Sequence, residues 1–263
     1  MARAQVTRID VQRHGDIATV VLDGPAKRNA LARESWLALT QTMRSLAADD
    51  SLRCVVLRGA GDEAFAAGAD ISEFPRLRAD SAQGRDYGAI IHGAMLAVAE
   101  CAHPTIAMIR GVCVGGGLEV ALACDLRICG EGSRFGVPVK RLGLTMGYGE
   151  LAALIAVVGS ATALEILLEG RVFGAREAHD KRLVHRVVAD ADVESEAYAS
   201  ARRIAAGAPL VARWHKRFIR RLVATRDIAD QQWKEGFACF DTDDFREGMT
   251  AFLDKRDPVF KGR

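Results

Sequence analysis

An α/β chain, with parallel strands in its first half and helices through its last part, is what this sequence predicts. Three observations carry that expectation. Short apolar runs alternate with helically spaced apolar residues through the first half. Two glycine-bearing turns follow strand-like runs. From about Gly147 onward almost every segment has helical spacing. Alternation of this kind implies right-handed β–α crossovers and parallel pairing.

The elements follow in order. Ile17-Ala-Thr-Val-Val-Leu22 is a short apolar run that stops at the turn signal Asp23-Gly-Pro25. Trp36, Leu39, Met43 and Leu46 fall on one helical face. Cys54-Val-Val-Leu57 is a second strand candidate, followed by a glycine-rich turn through Ala64-Phe-Ala-Ala-Gly68-Ala69-Asp70-Ile71. Ile90, Ile91, Ala94, Met95 and Val98 repeat helically until His103-Pro104 interrupts, and Thr105-Ile-Ala-Met-Ile109 is a third strand. Leu118-Glu-Val-Ala-Leu-Ala-Cys124 reads as a helix, and Trp214, Phe218 and Leu222 mark another. Gly147-Tyr-Gly149-Glu-Leu-Ala152 fits the dinucleotide pattern G-x-G-x-x-A. A poor strand precedes it and no acidic residue closes a second strand, so it is read as a helix start.

The stretch Gly111-Val-Cys-Val-Gly115-Gly116-Gly117-Leu-Glu119 carries the chemistry. Glycines before a helix admit a ligand's polar atom close to the backbone, because no Cβ stands in the way. The first-turn N–H groups have no partner inside the helix, and the dipole adds positive charge there. Such a junction suits an oxyanion, or a carbonyl becoming one. The plain alternative is a close-packed turn in which Glu119 only caps the helix. The Gly68 turn, about 47 residues earlier, adds a second amide that can converge on the same oxygen.

Composition limits the partners. Of 263 residues, 49% are apolar and 27% charged, which suits a chain with a large core. Lys and Arg number 36 against 34 Asp and Glu, a net +2, so no global field recruits nucleic acid or an anionic membrane. No apolar run approaches the roughly 18 residues of a membrane span, and the opening Met1-Ala-Arg-Ala-Gln5 lacks a signal peptide's apolar core. Six cysteines, at 54, 101, 113, 124, 129 and 239, show neither a C-x-x-C pair nor zinc-like spacing. Free thiols in apolar surroundings point to a reducing, cytoplasmic setting, with no metal site.

Several stretches together resemble the enoyl-CoA hydratase/isomerase (crotonase) superfamily: Pro25-Ala-Lys-Arg-Asn-Ala-Leu31, Phe65-Ala-Ala-Gly-Ala-Asp70, Gly111 through Asp125, Phe135-Gly-Val-Pro138, Leu142-Gly143, and Phe245 through Arg256. The resemblance implies a spiral of ββα units with a helical C-terminal region. It divides the chain into a core over residues 1–195 and a helical region over 196–263 that serves oligomerisation and covers the CoA site. It further implies homotrimers or dimers of trimers, and an acyl-CoA substrate with no cofactor beyond that CoA. By the same resemblance, the amides of Ala69 and Gly116 form an oxyanion hole for the thioester. Ala67, Asp70, Ile71, Ser72 and Gly115 lie along the CoA or substrate path. Lys27 and Arg28 stand near the CoA phosphates, with Lys255, Lys261 and Arg263 as weaker candidates.

The proton chemistry departs from the family pattern. Family hydratases hold one water between two glutamates. Glu119 matches the first, but the position of the second, after the proline of Phe135-Gly-Val-Pro138, is Val139. A valine neither accepts nor donates a proton. Glu150, in the Gly147-Tyr148-Gly149-Glu150 turn, is either a relocated acid or base, with Tyr148 as a hydrogen-bond donor, or a first-turn carboxylate that merely favours the helix dipole. His92 is a further candidate for the acyl pocket. The expected activity is hydration or dehydration of a 2-enoyl-CoA. Isomerisation, decarboxylation, thioester hydrolysis, or binding without turnover are the alternatives.

Overall fold

The computed structural model describes residues 6–263; Met1–Gln5, on which the reading of the N-terminus rests, lies outside the described residues. The strands β1 (Arg8–His14) and β2 (Ile17–Asp23) form an antiparallel hairpin, and α1 (Arg33–Ala47) follows. Three units then repeat one plan. In each, a long strand is followed by a strand of three residues and then by helix: β3 (Cys54–Gly59) and β4 (Ala64–Ala66) lead to α2 (Phe74–Leu77) and α3 (Ser81–Ala99). In turn, β5 (Thr105–Ile109) and β6 (Val112–Val114) lead to α4 (Gly116–Ala123), and β7 (Leu126–Gly130) and β8 (Arg134–Gly136) lead to α5 (Tyr148–Glu169). After these come β9 (Phe173–Gly174), α6 (Ala175–Asp180), β10 (Arg186–Val188), α7 (Val193–Ala205), α8 (Pro209–Ala224), α9 (Asp230–Glu235) and α10 (Asp243–Leu253). The first strands build a six-stranded sheet in the order β1-β2-β3-β5-β7-β10, parallel from β2 onward, and the short strands build a second sheet, β4-β6-β8-β9. This is the expected spiral of ββα units.

Period-two alternation makes the large sheet two-faced. Val20 and Leu22, Val55 and Leu57, Ala107 and Ile109 point into the main core with Trp36, Leu39 and Met43 of α1 and the buried side of α3. Ile17, Val56, Ile106, Met108 and Ile128 point the other way, against Val193, Ala197 and Ala201 of α7. Both faces being covered, β5 is buried along its whole length, as central parallel strands are. Helix α7 straddles the expected division at residue 195 and packs on the sheet. Helix α8 docks mainly by polar contacts: Lys216 Nζ lies 2.7 Å from Asp125 Oδ2 and donates to the His103 carbonyl, while Arg213 pairs with Asp50. Trp214 and Phe218 are only partly buried there, and Leu222 is exposed.

Three features correct or refine the sequence reading. The segments Ala64–Ala66 and Val112–Val114 are strands of the second sheet rather than parts of turns. Gly147 is the N-cap of α5 and no strand precedes it, as a helix start requires. Helix α5 itself is long and apolar enough, by length and composition, to cross a membrane, contrary to the expectation that no such run exists. The sequence hides it because Gly159-Ser160-Ala161-Thr162 interrupts the apolar stretch. The backbone also breaks there: Gly159 takes φ 77° and ψ 163°, so α5 is two helical segments joined end to end.

One buried side chain fastens the loop before α1 to the β3–β4 connection. Asn29, fully buried at φ 57°, donates through Nδ2 to the carbonyls of Ala60 and Ala64 and accepts the Gly24 N–H. Removing it strands several buried backbone groups at once. Asn29→Ala should lower unfolding free energy by about 2–3 kcal/mol, read as a shifted urea midpoint at unchanged slope; a loss below 0.5 kcal/mol, on the order of an ordinary surface change, would show that water replaces these bonds.

Candidate active site

The two glycine turns meet. The segment Arg28–Leu31 runs beside Ala67–Asp70: Ala67 N–H donates to Arg28 O, Leu31 N–H to Gly68 O and Asp70 N–H to Leu31 O. This parallel bridge between Leu31 and Ala69 uses the groups on either side of Ala69 and turns the Ala69 N–H away, toward α4. Gly68, at φ 100°, makes the turn possible; a methyl group there would lie 3.2 Å from the Gly116 nitrogen. A methyl group on Gly116 would lie 3.4 Å from the Ala69 nitrogen and 3.1 Å from the Trp36 indole. The amides of Ala69 and Gly116 are therefore neighbours, and among the described residues neither donates to a protein acceptor. They open on a cleft of about 750 Å³.

The glycine triplet has a packing reason as well as a chemical one. A Cβ on Gly117 would stand 2.1 Å from the Ala66 carbonyl oxygen, so the third glycine lets α4 press against β4. The first turn of α4 is thereby held where its free N–H groups face the cleft.

Glu119, Val139 and Glu150 all line the same cleft. Burial, and after it the charge of Glu150, push the Glu119 carboxyl up to about 7 from its ordinary 4.5, against the pull of Arg78. Glu150 is buried at 8% exposure, and its Oε1 lies 3.2 Å from His92 Nδ1 on α3. The start of α5 folds tightly over this pair: a Cβ on Gly149 would strike the His92 ring at 2.1 Å, and one on Gly147 the Glu150 carboxylate at 2.3 Å. Glu150 thus faces the pocket instead of solvent beyond a helix start. Tyr148 does not: at 93% exposure it points away and offers the cleft no hydrogen bond.

The expected binding residues divide. Ala67, Ile71 and Gly115 line the cleft beside the two amides. Asp70 instead organises the loop. Its Oδ1 accepts the Ser72 N–H and hydroxyl, and its Oδ2 the Lys27 ammonium at 2.6 Å. Burial alone would raise the Asp70 carboxyl, but the bonds from Lys27 and Ser72 outweigh it and hold it below the usual range. Lys27 and Ser72 are therefore occupied at the rim. Arg28 lines a different cleft, with Asp62, Glu63, Arg110 and Asp190, because its left-handed conformation (φ 52°) reverses the chain there. Lys255, Lys261 and Arg263 belong to the C-terminal segment and do not line the cleft.

Three contributors were not foreseen. Trp36 belongs to the core, yet its indole also backs Gly116. Asn29 stood within a matched stretch, and an asparagine between Arg28 and a turn is itself a signal for left-handed backbone. Arg78 lines the cleft between Phe74 and Tyr87, and nothing in its local sequence announces that.

A spiral of ββα units with paired free amides at two strand-to-helix turns defines a crotonase-type protein. The chain belongs to the enoyl-CoA hydratase/isomerase family, whose model matches residues 12–263. It is 31% identical to a short-chain-enoyl-CoA hydratase of Clostridium acetobutylicum, over 96% of this chain and 97% of that one. It is 32% identical to a crotonyl-CoA hydratase of Syntrophomonas wolfei, over 96% and 97%. The crystal structure of an enoyl-CoA hydratase/carnithine racemase from Magnetospirillum magneticum superposes with a TM-score of 0.96 at 46% identity, covering 98% of this chain and 97% of that one.

The raised Glu119 carboxyl has a consequence for stability. Its folded pKa lies above its unfolded one, so folding takes up a proton. The group costs nothing below about pH 4.5, and its cost grows as pH rises to about 7, then levels. Glu119→Gln removes that cost. The variant should be more stable than the parent at pH 8 by up to about 3 kcal/mol and nearly equal to it at pH 4, measured by denaturant unfolding at both. An equal difference at both pH values would mean that the carboxyl titrates normally.

Proposed function

We propose that this protein is an acyl-CoA lyase of the enoyl-CoA hydratase type, adding water to, or removing it from, the 2,3-double bond of a 2-enoyl-CoA. The observation that carries the proposal is one cleft lined by two unpaired amides and two carboxyl groups, one of them raised to about 7. In this reading the thioester oxygen accepts the Ala69 and Gly116 N–H groups, each worth roughly 3–4 kcal/mol of enolate stabilisation. Glu150, steadied by His92, takes a proton from water as the hydroxyl bonds to C3. Glu119, its carboxyl raised toward neutrality by burial, gives its proton to C2 as the enolate collapses, and solvent exchange resets the pair. No cofactor beyond the CoA of the substrate is required.

Val139 supports a second reading. The carboxylate usual after Phe-Gly-x-Pro is absent, and isomerisation, decarboxylation, thioester hydrolysis or binding without turnover would each keep the amide pair and Glu119. Incubation with crotonyl-CoA, longer 2-enoyl-CoAs and 3-enoyl-CoAs separates these. Hydration of a 2-enoyl-CoA, followed as loss of the conjugated thioester absorbance, supports the first reading; consumption of only a 3-enoyl-CoA, or of none, rejects it.

Assembly belongs to the same proposal. Leu164, Leu168, Ile219, Val223, Phe252 and Leu253 are each more than half exposed on α5, α8 and α10 in the single chain. Apolar surface of this extent favours burial against further copies, in a trimer or a dimer of trimers in the cytoplasm, with the helices after α7 covering part of the CoA site. Light scattering that returns a monomer mass would reject it.

General acid–base catalysis sets the size of the mutational effects. Glu119→Gln should lower kcat for 2-enoyl-CoA hydration by roughly 10²–10⁴-fold with KM changed only a few-fold. Glu150→Gln should do the same. Full activity in the Glu150 variant would return Glu150 to a capping role and leave Glu119 without a carboxylate partner.

A further inference from the structure

The cleft contains a part-buried cation to which the chemistry above assigns no proton-transfer role. Arg78 ends α2 and half-buries its side chain beside the entrance of α3. Its guanidinium carbon lies 4.6 Å from the Phe74 ring centre and 5.3 Å from that of Tyr87, while the two rings meet edge to face. Stacking of this kind fixes the plane of a guanidinium while leaving its N–H edge free. Among the described residues, Arg78 makes no ion pair and no side-chain hydrogen bond. Of the acids around it, Glu119 feels its charge without a hydrogen bond or ion pair to it, and the others are engaged elsewhere. Glu73 accepts the Arg33 N–H and the Tyr87 hydroxyl, and Asp80 caps α3 through the N–H groups of Ala82 and Gln83. Glu150 is held by His92. Arg85 lines the same cleft but is exposed to solvent.

The cleft face of α3 leaves room. Gly84 and Gly88 stand four residues apart on the cleft face of α3, and a Cβ on either would meet nothing within 4 Å. Each glycine inside a helix costs about 1 kcal/mol relative to alanine. No packing demand explains these two, unlike Gly117, so the space itself is the feature. An open, largely apolar chamber with an unpaired guanidinium stacked on aromatic rings is how a site recognises a planar anion.

We propose that the acyl group of the substrate carries a carboxylate, which Arg78 receives as a bidentate partner in the space left by Gly84 and Gly88. The substrate class is then the CoA thioester of a dicarboxylic acid. The inference rests on the reading of the cleft as an acyl-CoA site, and it is independent of which reaction follows.

Calorimetric titration of the intact protein with unreactive saturated thioesters tests it. Succinyl-CoA and glutaryl-CoA are compared with butyryl-CoA, and free CoA is the reference. At least one dicarboxylic thioester should bind roughly 10- to 100-fold more tightly than butyryl-CoA, the range of a charge-assisted hydrogen bond. Arg78→Met should erase that preference and leave the affinity for butyryl-CoA and free CoA within about two-fold. Arg78→Gln, which keeps hydrogen-bonding capacity, serves if the methionine variant folds poorly, and should also lose most of the preference. Equal binding of all three thioesters by the parent overturns the inference. So does a preference that survives the substitution, or a loss equal for free CoA, which would assign Arg78 to the CoA phosphates. Turnover separates the two proposals. Hydration of crotonyl-CoA without any preference for a dicarboxylic thioester leaves the hydratase reading and removes this one. An Arg78-dependent preference without hydration does the reverse.

Discussion

Everything at the site depends on leaving two backbone N–H groups unpaired beside a cleft. A buried donor without a partner costs on the order of 1–3 kcal/mol, and a relaxed chain would turn these amides toward any nearby carbonyl. The structure prevents that by over-determining the two segments that carry them. The Leu31–Ala69 bridge takes up the carbonyl and amide on either side of Ala69. Asn29 fixes that bridge to the β3–β4 connection, and the contact of Gly117 with Ala66 fixes α4 to β4. The scaffold's stability is thus directed at keeping a pair of donors available.

The same constraint governs the carboxylates. Glu119 sits on the helix whose first turn supplies the free amides, so its carboxyl is held in the same partly desolvated space. Glu150 arrives from α5, more than thirty residues along the chain, and a histidine on a third helix holds it. A carboxyl poised near neutrality follows from burial first and from a like charge second. Val139 packs against the main core as an apolar wall at the position where the family pattern places an acid. The cleft thus receives its second carboxylate from the next helix and not from that loop.

How much of this was legible in the sequence follows from the length of each signal. The runs 17–22, 54–57 and 105–109 are apolar enough to be read as strands, and Trp36, Leu39 and Met43 declare their helix face. The second sheet was not legible, because β4, β6 and β8 have three residues each and no period can be read from three positions. The two glycine turns were legible because such turns carry a backbone requirement in their composition, whereas Ala69 and Gly116 within them were singled out by the family resemblance. That Arg28 lines a different cleft was not legible, because the sign of φ decides which side of the chain it leaves, and arginine does not reveal that sign. Glu150 facing the cleft, and Arg78 lining it, depend on packing between elements distant in sequence, which no local pattern records.

The break at Gly159 separates two concerns that one long helix would have joined. A backbone at φ 77° and ψ 163° is accessible essentially to glycine alone, so the joint is written into the sequence. The inner arm of α5 carries Glu150 against His92, whereas the outer arm presents Leu164 and Leu168 to the outside. An exchange of surface residues on the outer arm can change what the molecule adheres to without rotating the carboxylate. Exposed apolar surface and the placing of a cleft carboxylate are, in this fold, separately adjustable traits of a single helix.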